Sequence, residues 1–318
     1  MTRIDVFNGD ADGICALQQI RLAEPGESVL VTGVKRDIAL LDRVTARPGD
    51  EVTVLDVSLD RNRDALTRLL AAGAKVRYFD HHFAGEAIEH PALLLRIDPS
   101  PTRGTSLLVD EYLGGAHRAW AVVGTFGDNL DESAVRAAAP LGLSAQTTGR
   151  LRELGVLLNY NASGERVEDL HVHPAEVFRR LAPYPDPLTF VAKDPLFTLL
   201  REGYAADRDR AAALRPVLET PRVAVYVLPA ETWARRVSGV YANDLARGAP
   251  GRAHALVTRR PEGGAVVSVR APLSHSVGAD ALCRRFPTGG GRQGAAGIND
   301  LPEERFDDFV RAFVEAFG

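Results

Sequence analysis

Short apolar runs alternate with helical patterns through the first part of this 318-residue chain, and this alternation constrains the fold more than any other feature. The runs predicted as strands are residues 4–7, 29–32, 52–57 and 76–79. Helical patterns at residues 14–22 and 61–72 lie among them. Strands that alternate with helices form parallel sheets, and the continuous apolar run at 52–57 is typical of a strand buried on both faces. The sequence therefore predicts an α/β fold with a doubly wound parallel sheet.

The pattern changes towards the carboxyl end of the chain. Helical patterns dominate the middle, and a long polar helix is predicted at residues 196–214 between proline-containing breaks. Beyond it, the predicted strands are 222–228, 253–258 and 265–270, and the predicted helices are 237–245, 277–286 and 304–317. We therefore expect a first domain at residues 1–190, a linker helix at 191–221, and a second, smaller mixed α/β domain at 222–318.

Composition excludes several classes of protein. The 38 basic and 42 acidic residues give a net charge of −4, so a polyanion would have to meet a local basic patch. Cys15 and Cys283 are far apart and outside any CxxC pattern, which argues against a disulfide framework or a zinc site. No apolar run is long enough to cross a membrane, and no signal-peptide pattern is present. We expect a soluble protein of the reducing cytoplasm that binds no membrane.

Acidic side chains follow three of the predicted strands. Asp10 and Asp12 come after the first strand, Asp56 lies near the end of the 52–57 run, and Asp80-His81 directly follows 76–79. Because parallel strands end at the same sheet edge, these carboxylates would meet there and repel one another unless cations lay between them. Oxygen ligands with one or two imidazoles suit Mn²⁺ or Mg²⁺. Two such ions would clamp a phosphoryl group and supply a bridging hydroxide as nucleophile.

Each of these signals has a second interpretation when taken alone. The Asp10-Ala11-Asp12 pattern is also typical of a helix N-cap, and Asp56 could cap the turn after its strand. Their joint occurrence at strand ends favours the metal site over these separate structural roles.

The order of the motifs resembles that of the DHH phosphoesterases, in the RecJ-like or nano-RNase-like branch that carries a C-terminal DHH-associated domain. The matching motifs are Asp10-Ala11-Asp12-Gly13, Asp56, Asp80-His81-His82, Gly127-Asp128, and a glycine loop, GGGRQGAAG, at residues 289–297. They extend over nearly the whole chain. The resemblance implies that residues 1–190 form the catalytic domain and residues 222–318 the DHH-associated, substrate-binding domain.

The resemblance also implies a role for each matching residue. Asp10 and Asp12 would each bind one of two Mn²⁺ ions, with Mg²⁺ as the alternative, and Asp56 would bridge both. His81 and Asp128 would complete the second site. As catalytic groups, His82 would lie near the substrate phosphate and Asp80 would orient a histidine. The residues implied in substrate binding are Arg270, Gly289, Gly290, Gly291 and Arg292.

Three positions depart from the family pattern. Val6 stands where many members have a histidine, and Asn8 stands where RecJ-type members have an aspartate. These departures predict a poorer first metal site. Arg292 replaces the histidine of the usual GGGH motif, and its guanidinium still offers a fork for phosphate. The start of the predicted helix at Thr105-Ser106 is a further candidate, either for phosphate binding or for plain N-capping.

The leading functional prediction is a metal-dependent hydrolase of phosphate esters in small nucleotides or short oligonucleotides, either an exonuclease or phosphodiesterase or a nucleotide phosphatase. The acidic net charge argues against a stable complex with long nucleic acid. Two alternatives stay open: a polyphosphatase or pyrophosphatase using Arg284, Arg285 and Arg292, and a nucleotide-binding protein whose catalytic site has decayed. The exact substrate and the oligomeric state, a homodimer included, are left open.

Overall fold

Five parallel strands form the centre of the first unit, Met1–Glu202, of the computed structural model, which describes all 318 residues. The strands are β1 (Arg3–Asn8), β2 (Val29–Gly33), β3 (Glu51–Leu55), β4 (Lys75–Asp80) and β5 (Leu93–Ile97). Their order is β2-β1-β3-β4-β5. The chain moves outwards from β1 to β2 and then returns to β3 on the other side of β1, so the strand order reverses between β1 and β3. Ligands of open α/β sheets bind at such a switch point, outside the carboxyl ends of the strands.

Helices cover both faces of this sheet. They are α1 (Ala11–Ala23), α2 (Leu59–Ala71), α3 (Thr105–Tyr112), α4 (Arg118–Gly127), α5 (Asp131–Ala138), α6 (Ala145–Asn161), α7 (Pro174–Leu181) and α8 (Pro187–Lys193). On one face, Val54 and Tyr78 share a buried cluster with Leu66 of α2. The neighbouring residues in the strands, Leu55 and Phe79, are fully buried on the other face, because successive strand side chains point to opposite sides. The α1, α4 and α6 helices pack against one another.

Gly155 allows the close approach of α6 to α4. A side chain there would overlap the Val123 carbonyl oxygen and lie 2.8 Å from the Gly127 backbone nitrogen. Gly149 lies in the same helix, but a side chain there would meet nothing within 4 Å. The α6 helix therefore contains one glycine that packing requires and one that it does not.

Substituting these two glycines should have opposite effects on stability. Gly155→Ala should lower the free energy of unfolding by about 1–3 kcal/mol, because the extra methyl group forces two backbones apart. Gly149→Ala should raise it by about 0.5–1 kcal/mol, because alanine loses less backbone entropy in a helix. Urea denaturation of both variants measures the difference. Equal effects would contradict the packing described here.

The α9 helix (Pro195–Ala212) contains the boundary between the two units, which lies between Glu202 and Gly203. The second unit, Gly203–Gly318, holds a six-stranded mixed sheet in the order β10-β11-β9-β8-β7-β6. Its strands are β6 (Leu218–Glu219), β7 (Val223–Leu228), β8 (Ala253–Arg259), β9 (Ala265–Arg270), β10 (Gly289–Arg292) and β11 (Ala295–Leu301). Only β7 and β8 pair in parallel.

Three further helices cover this second sheet: α10 (Thr232–Gly248), α11 (Ala279–Cys283) and α12 (Phe306–Phe317). Trp233 of α10 belongs to one buried cluster, while Phe309 and Phe313 of α12 belong to another. Two separate cores therefore stabilise this unit. None of the helices in the protein combines the length and apolar character needed to cross a lipid bilayer.

The predicted fold class, a doubly wound parallel sheet with a second, smaller mixed α/β domain, is confirmed. Two local expectations were wrong. The strand predicted at 52–57 ends at Leu55, because Asp56 has a left-handed backbone with φ of 59° that breaks the strand. The glycine segment expected as a loop forms the edge strand β10, paired with β11. The predicted domain limits at 190 and 221 stay predictions.

Candidate metal centre

Four carboxylates and one histidine converge at the carboxyl edge of the parallel sheet. Asp10 and Asp12 follow β1, Asp56 follows β3, His81 follows β4, and Asp128 comes directly after α4. The three groups at strand ends thus lie at and beside the switch point between β1 and β3, and the packing of α4 against α1 brings Asp128 to them.

Asp10 is the N-cap of α1. Its Oδ1 accepts hydrogen bonds from the backbone nitrogens of Asp12 (3.0 Å) and Gly13 (3.1 Å). Its Oδ2 lies 2.7 Å from the Lys35 ammonium. Burial acts to raise the pKa of Asp10, but the charge and hydrogen bond of Lys35 prevail and hold that pKa below its usual range. Asp10 is therefore charged, and both of its oxygens already have partners.

Asp12 is held by the N-terminus of α3. Its Oδ2 accepts from the Thr105 backbone nitrogen (2.6 Å), and its Oδ1 accepts from the Ser106 backbone nitrogen (2.9 Å) and the Ser106 hydroxyl. The Asp12 carboxylate therefore occupies the N-terminus of α3, which was considered above as a phosphate-binding position. The free amide groups of a helix N-terminus favour a negative charge, so this contact fixes Asp12 in position.

Asp56 and His81 are directly adjacent. The Thr105 hydroxyl donates to Asp56 Oδ1 (3.0 Å), and His81 Nε2 lies 3.3 Å from the same oxygen and 3.6 Å from Asp128 Oδ2. The other ring nitrogen, His81 Nδ1, lies 2.8 Å from the Arg103 carbonyl oxygen, to which it can only donate. This contact orients the ring with Nε2 towards the carboxylates, as in histidines that bind metals.

Two overlapping groups of side chains could hold a metal ion: Asp12, His81 and Asp128, and Asp56, His81 and His82. Within each group the donor atoms lie within 4.8 Å of one another. Carboxylate oxygens with imidazole nitrogen fit Mn²⁺ or Mg²⁺, and no thiolate takes part.

The pKa values of this cluster indicate crowded negative charge. Burial, together with neighbouring carboxylates, raises the pKa of Asp56 well above its usual range and also raises the pKa of Asp12. Burial lowers the pKa of His81, but the hydrogen bond to Asp56 and the charges of Asp12 and Asp128 prevail and raise it to about 10. Protons thus compensate part of the charge that a cation would compensate, and a metal ion that binds here displaces protons.

Lys35 belongs to the site, although no sequence motif includes it. It follows β2, and its Nζ lies 2.7 Å from Asp10 Oδ2, 3.2 Å from Asp128 Oδ1 and 2.9 Å from Asn159 Oδ1. Burial acts to lower the pKa of Lys35, but the charges of the nearby carboxylates raise it above its usual value. The only signal in the sequence was its rarity, since lysine occurs only at positions 35, 75 and 193.

Val6 and Asn8, the two β1 residues that depart from the family pattern, have structural roles. Val6 is fully buried within the core of the sheet. The Asn8 side chain accepts from the Asp10 backbone nitrogen (3.2 Å) and donates to the Lys35 carbonyl oxygen (3.1 Å). Asn8 therefore supports Asp10 and Lys35, and both ends of its amide are used in doing so.

Asp80 and His82 form a pair beside this cluster. His82 Nδ1 lies 2.6 Å from Asp80 Oδ1, and the His82 side chain is 44% exposed while the Asp80 side chain is fully buried. The backbone nitrogen of Leu59 donates to the other Asp80 oxygen (3.4 Å). The ring centroids of His81 and His82 are 4.6 Å apart. A buried acceptor thus orients a solvent-accessible imidazole next to the candidate metal ligands.

No protein-family profile and no curated protein sequence matches the chain. Solved structures do resemble it over 99% of its length. A manganese-bound exonuclease RecJ has a TM-score of 0.63 at 19% identity, with 90% of that chain covered. RecJ from Thermus thermophilus in complex with Mn²⁺ has a TM-score of 0.65 at 19% identity, with 52% of that chain covered. The pGpG-specific phosphodiesterase PggH from Vibrio cholerae has a TM-score of 0.56 at 14% identity, with 98% of that chain covered.

The chain has the DHH phosphoesterase fold. The resemblance predicted from the motifs is thereby confirmed for the fold. The motif residues that carried the resemblance follow β1, β3 and β4, and Asp128 comes directly after α4.

The candidate substrate-binding residues of the DHH-associated domain all lie in the second unit. Arg270, at the end of β9, donates to Asn243 Oδ1 (2.8 Å), the Ser268 hydroxyl (2.9 Å) and the Val269 carbonyl oxygen (3.1 Å), and burial lowers its pKa. These contacts fix the guanidinium. Arg292, at the end of β10, is exposed.

The glycines of β10 are not equivalent. A side chain at Gly289 would overlap the Cys283 carbonyl oxygen, whereas one at Gly290 would meet nothing within 4 Å. At Gly290, the space beside the backbone is therefore open. Of the other arginines considered for polyphosphate, Arg284 pairs with Asp280 (3.5 Å) and Arg285 pairs with Glu315 (3.0 Å).

Proposed function

We propose that the protein is a divalent-metal-dependent phosphoesterase that hydrolyses phosphate esters of small nucleotides or short oligonucleotides. The observation that carries the proposal is the convergence of Asp12, Asp56, His81 and Asp128 at the switch point of the sheet, with His81 Nε2 held towards the carboxylates. Two proteins that share the fold are named as an exonuclease and as a pGpG-specific phosphodiesterase. Their activities support the proposal for this chain.

The donor set fits Mn²⁺, with Mg²⁺ as the alternative. Asp12, Asp56, His81 and Asp128 would hold the ion. A divalent ion bound there supplies positive charge to the phosphate oxygens and lowers the pKa of water. The Thr105 hydroxyl and the α3 amide groups keep the carboxylates in place while substrate binds and product leaves.

The Asp80–His82 pair is the proposed proton-handling group. Asp80 accepts a hydrogen bond from His82 Nδ1–H, so His82 Nε2 is the atom left free for a phosphate oxygen or a leaving group. The exposure of the His82 ring gives substrate access to it, and the burial of Asp80 keeps its orientation fixed. General acid–base catalysis requires such a positioned imidazole.

Arg270 and Arg292, with Gly290 of β10, are the proposed substrate contacts of the second unit. An arginine held by several acceptors, such as Arg270, presents its remaining N–H groups with little loss of entropy. The free Cys15 and Cys283 are both buried and unpaired, which supports a reducing cytoplasm as the proposed location.

Arg292→Ala should raise KM about 10- to 150-fold with a smaller fall in kcat, because it removes one charge-assisted contact that is remote from the chemistry. Arg292→Lys should restore only part of the binding, since an ammonium lacks the planar fork. Steady-state kinetics on a dinucleotide measures both constants. The matched control is Arg215→Ala, which removes another exposed arginine of the same unit. Wild-type constants for Arg292→Ala would remove this residue from the substrate site.

The function itself is tested by a substrate screen with Mn²⁺. The candidates are a linear dinucleotide, a nucleoside 3′,5′-bisphosphate, a cyclic dinucleotide and inorganic polyphosphate. We expect turnover of a nucleotide substrate that EDTA abolishes, and turnover of polyphosphate at most about a tenth as fast. Turnover of polyphosphate alone would establish the polyphosphatase alternative. Metal binding without turnover of any substrate would establish a binding protein with a decayed site.

A further inference from the structure

The Lys35 ammonium lies against the carboxylate cluster. Its Nζ contacts two of the four carboxylates, those of Asp10 (2.7 Å) and Asp128 (3.2 Å). The third contact is the amide oxygen of Asn159 (2.9 Å), which comes from α6. Lysine has three N–H donors, and the three acceptors use all of them.

The backbone of Lys35 is held as firmly as its side chain. Its nitrogen donates to the Ala162 carbonyl oxygen (3.0 Å), just beyond α6, and its carbonyl oxygen accepts from Asn8 Nδ2 (3.1 Å) at the end of β1. An aspartate at position 8 could not donate that second hydrogen bond. Two elements that flank the cluster therefore fix the residue, so its position does not depend on the flexible side chain alone.

The remaining donor atoms suffice for a single ion. Both oxygens of Asp10 and of Asp12 have hydrogen-bond partners, but those of Asp12 are uncharged amide and hydroxyl groups, whereas Asp10 contacts the Lys35 ammonium. The donors that lie close together around His81 are those of Asp12, Asp56 and Asp128. A second divalent ion on Asp10 would have to displace the ammonium or lie against it, and like charges at such distances repel strongly.

We propose that Lys35 takes the place of one of two divalent ions, so that each chain binds a single metal ion next to a built-in ammonium. The proposal rests on the proposed function, because it assigns one cation position of that same site to the Lys35 ammonium and the other to the metal ion. The ammonium neutralises Asp10 and contacts one oxygen of Asp128, whereas the exchangeable metal ion would be bound by Asp12, Asp56, His81 and Asp128.

Metal stoichiometry tests the proposal without any reference to turnover. The full-length wild type, Lys35→Met and Lys35→Arg are each titrated with Mn²⁺ by isothermal calorimetry, and the bound metal is counted by elemental analysis after equilibrium dialysis. We expect one ion per chain for the wild type and for Lys35→Arg, which keeps the charge. We expect two for Lys35→Met, because the uncharged side chain leaves Asp10 and Asp128 free for a second ion.

The possible results distinguish this proposal from the proposed function. Two ions in the wild type would overturn the role of Lys35 and leave a metal-dependent hydrolase standing. One ion in both the wild type and folded Lys35→Met would also overturn it. No ion in the wild type would overturn both. A crystal of the wild type soaked in excess Mn²⁺ decides the matter if Lys35→Met does not fold: one anomalous peak with Nζ on Asp10 supports the proposal, and a second peak bonded to Asp10 overturns it.

Discussion

Asp56→Asn should abolish Mn²⁺-dependent turnover, with kcat/KM falling by about 1,000-fold or more. Asp56 lies between Thr105 and His81 at the centre of the donor set, so the variant loses a charged metal ligand. A metal ion contributes several kcal/mol to a hydrolytic transition state, and each 1.36 kcal/mol is a factor of ten in rate. The amide of asparagine is a much weaker ligand than a carboxylate.

Asparagine is the right replacement because of the backbone at this position. Asp56 has φ of 59°, which asparagine tolerates, whereas alanine there would add a steric cost of about 1–2 kcal/mol. A loss of activity in Asp56→Asn can therefore be assigned to the ligand. Asp64→Asn, an exposed position on α2, is the matched control with the same change in charge.

Thermal unfolding separates the loss of metal from a loss of fold. Wild type should be stabilised by Mn²⁺, by about 2.7 kcal/mol at a concentration 100 times its Kd. Asp56→Asn should unfold at or above the wild-type temperature without metal, because it removes a buried carboxyl group whose pKa is raised, and it should gain little from Mn²⁺. Turnover within tenfold of wild type would contradict the assignment of Asp56.

His82→Ala should lower kcat by about 100- to 10,000-fold, the usual contribution of a general acid or base. The expected change in stability is small, because the ring is 44% exposed and its only hydrogen bond is to Asp80. Metal stoichiometry should stay at the wild-type value if His82 acts on substrate and not as a required metal ligand.

Asp80→Asn provides the second arm of this test. Asparagine can offer Nδ2–H to the imidazole in place of an acceptor, which would favour the wrong tautomer, so kcat should fall with little change in KM. His275→Ala, an exposed histidine of the second unit, is the control. Full activity in His82→Ala would show that the exposed imidazole takes no part in the reaction, and the proton would then have to pass through solvent alone.

The sheet and its carboxyl edge could be predicted because their signals are local. Short continuous apolar runs are typical of buried strands. Residues that follow parallel strands lie at one edge of the sheet, so Asp10, Asp56 and His81 were expected to lie close together. The same reasoning favoured a metal ligand over a helix cap for Asp10. The structure shows that Asp10 does cap α1, and its second oxygen contacts Lys35.

Lys35 could not be predicted, because its place in the site depends on topology. It is 25 residues from Asp10 and 93 from Asp128 along the chain, and it enters the site only because β2 lies next to β1. The position of Asn159 depends likewise on the packing of α6 against α4, which Gly155 allows. Contacts of this kind leave no periodic pattern in a sequence.

The β10 strand was missed for a different reason. Glycine has low strand propensity, and a run of three glycines is typical of a loop. The strand forms because β11 pairs with it, and because Gly289 fits against the Cys283 carbonyl oxygen where no side chain could. Tertiary pairing thus overrides local propensity in the segment proposed to contact substrate.

The cluster at the carboxyl edge of the parallel sheet is proposed to bind a catalytic divalent ion. Anomalous diffraction from a Mn²⁺-soaked crystal of the wild type tests it most directly. We predict a manganese peak within bonding distance of Asp56 and His81 Nε2, with Asp12 or Asp128 completing the ligands. An empty cluster at saturating Mn²⁺, or manganese bound only elsewhere on the protein, would contradict the claim.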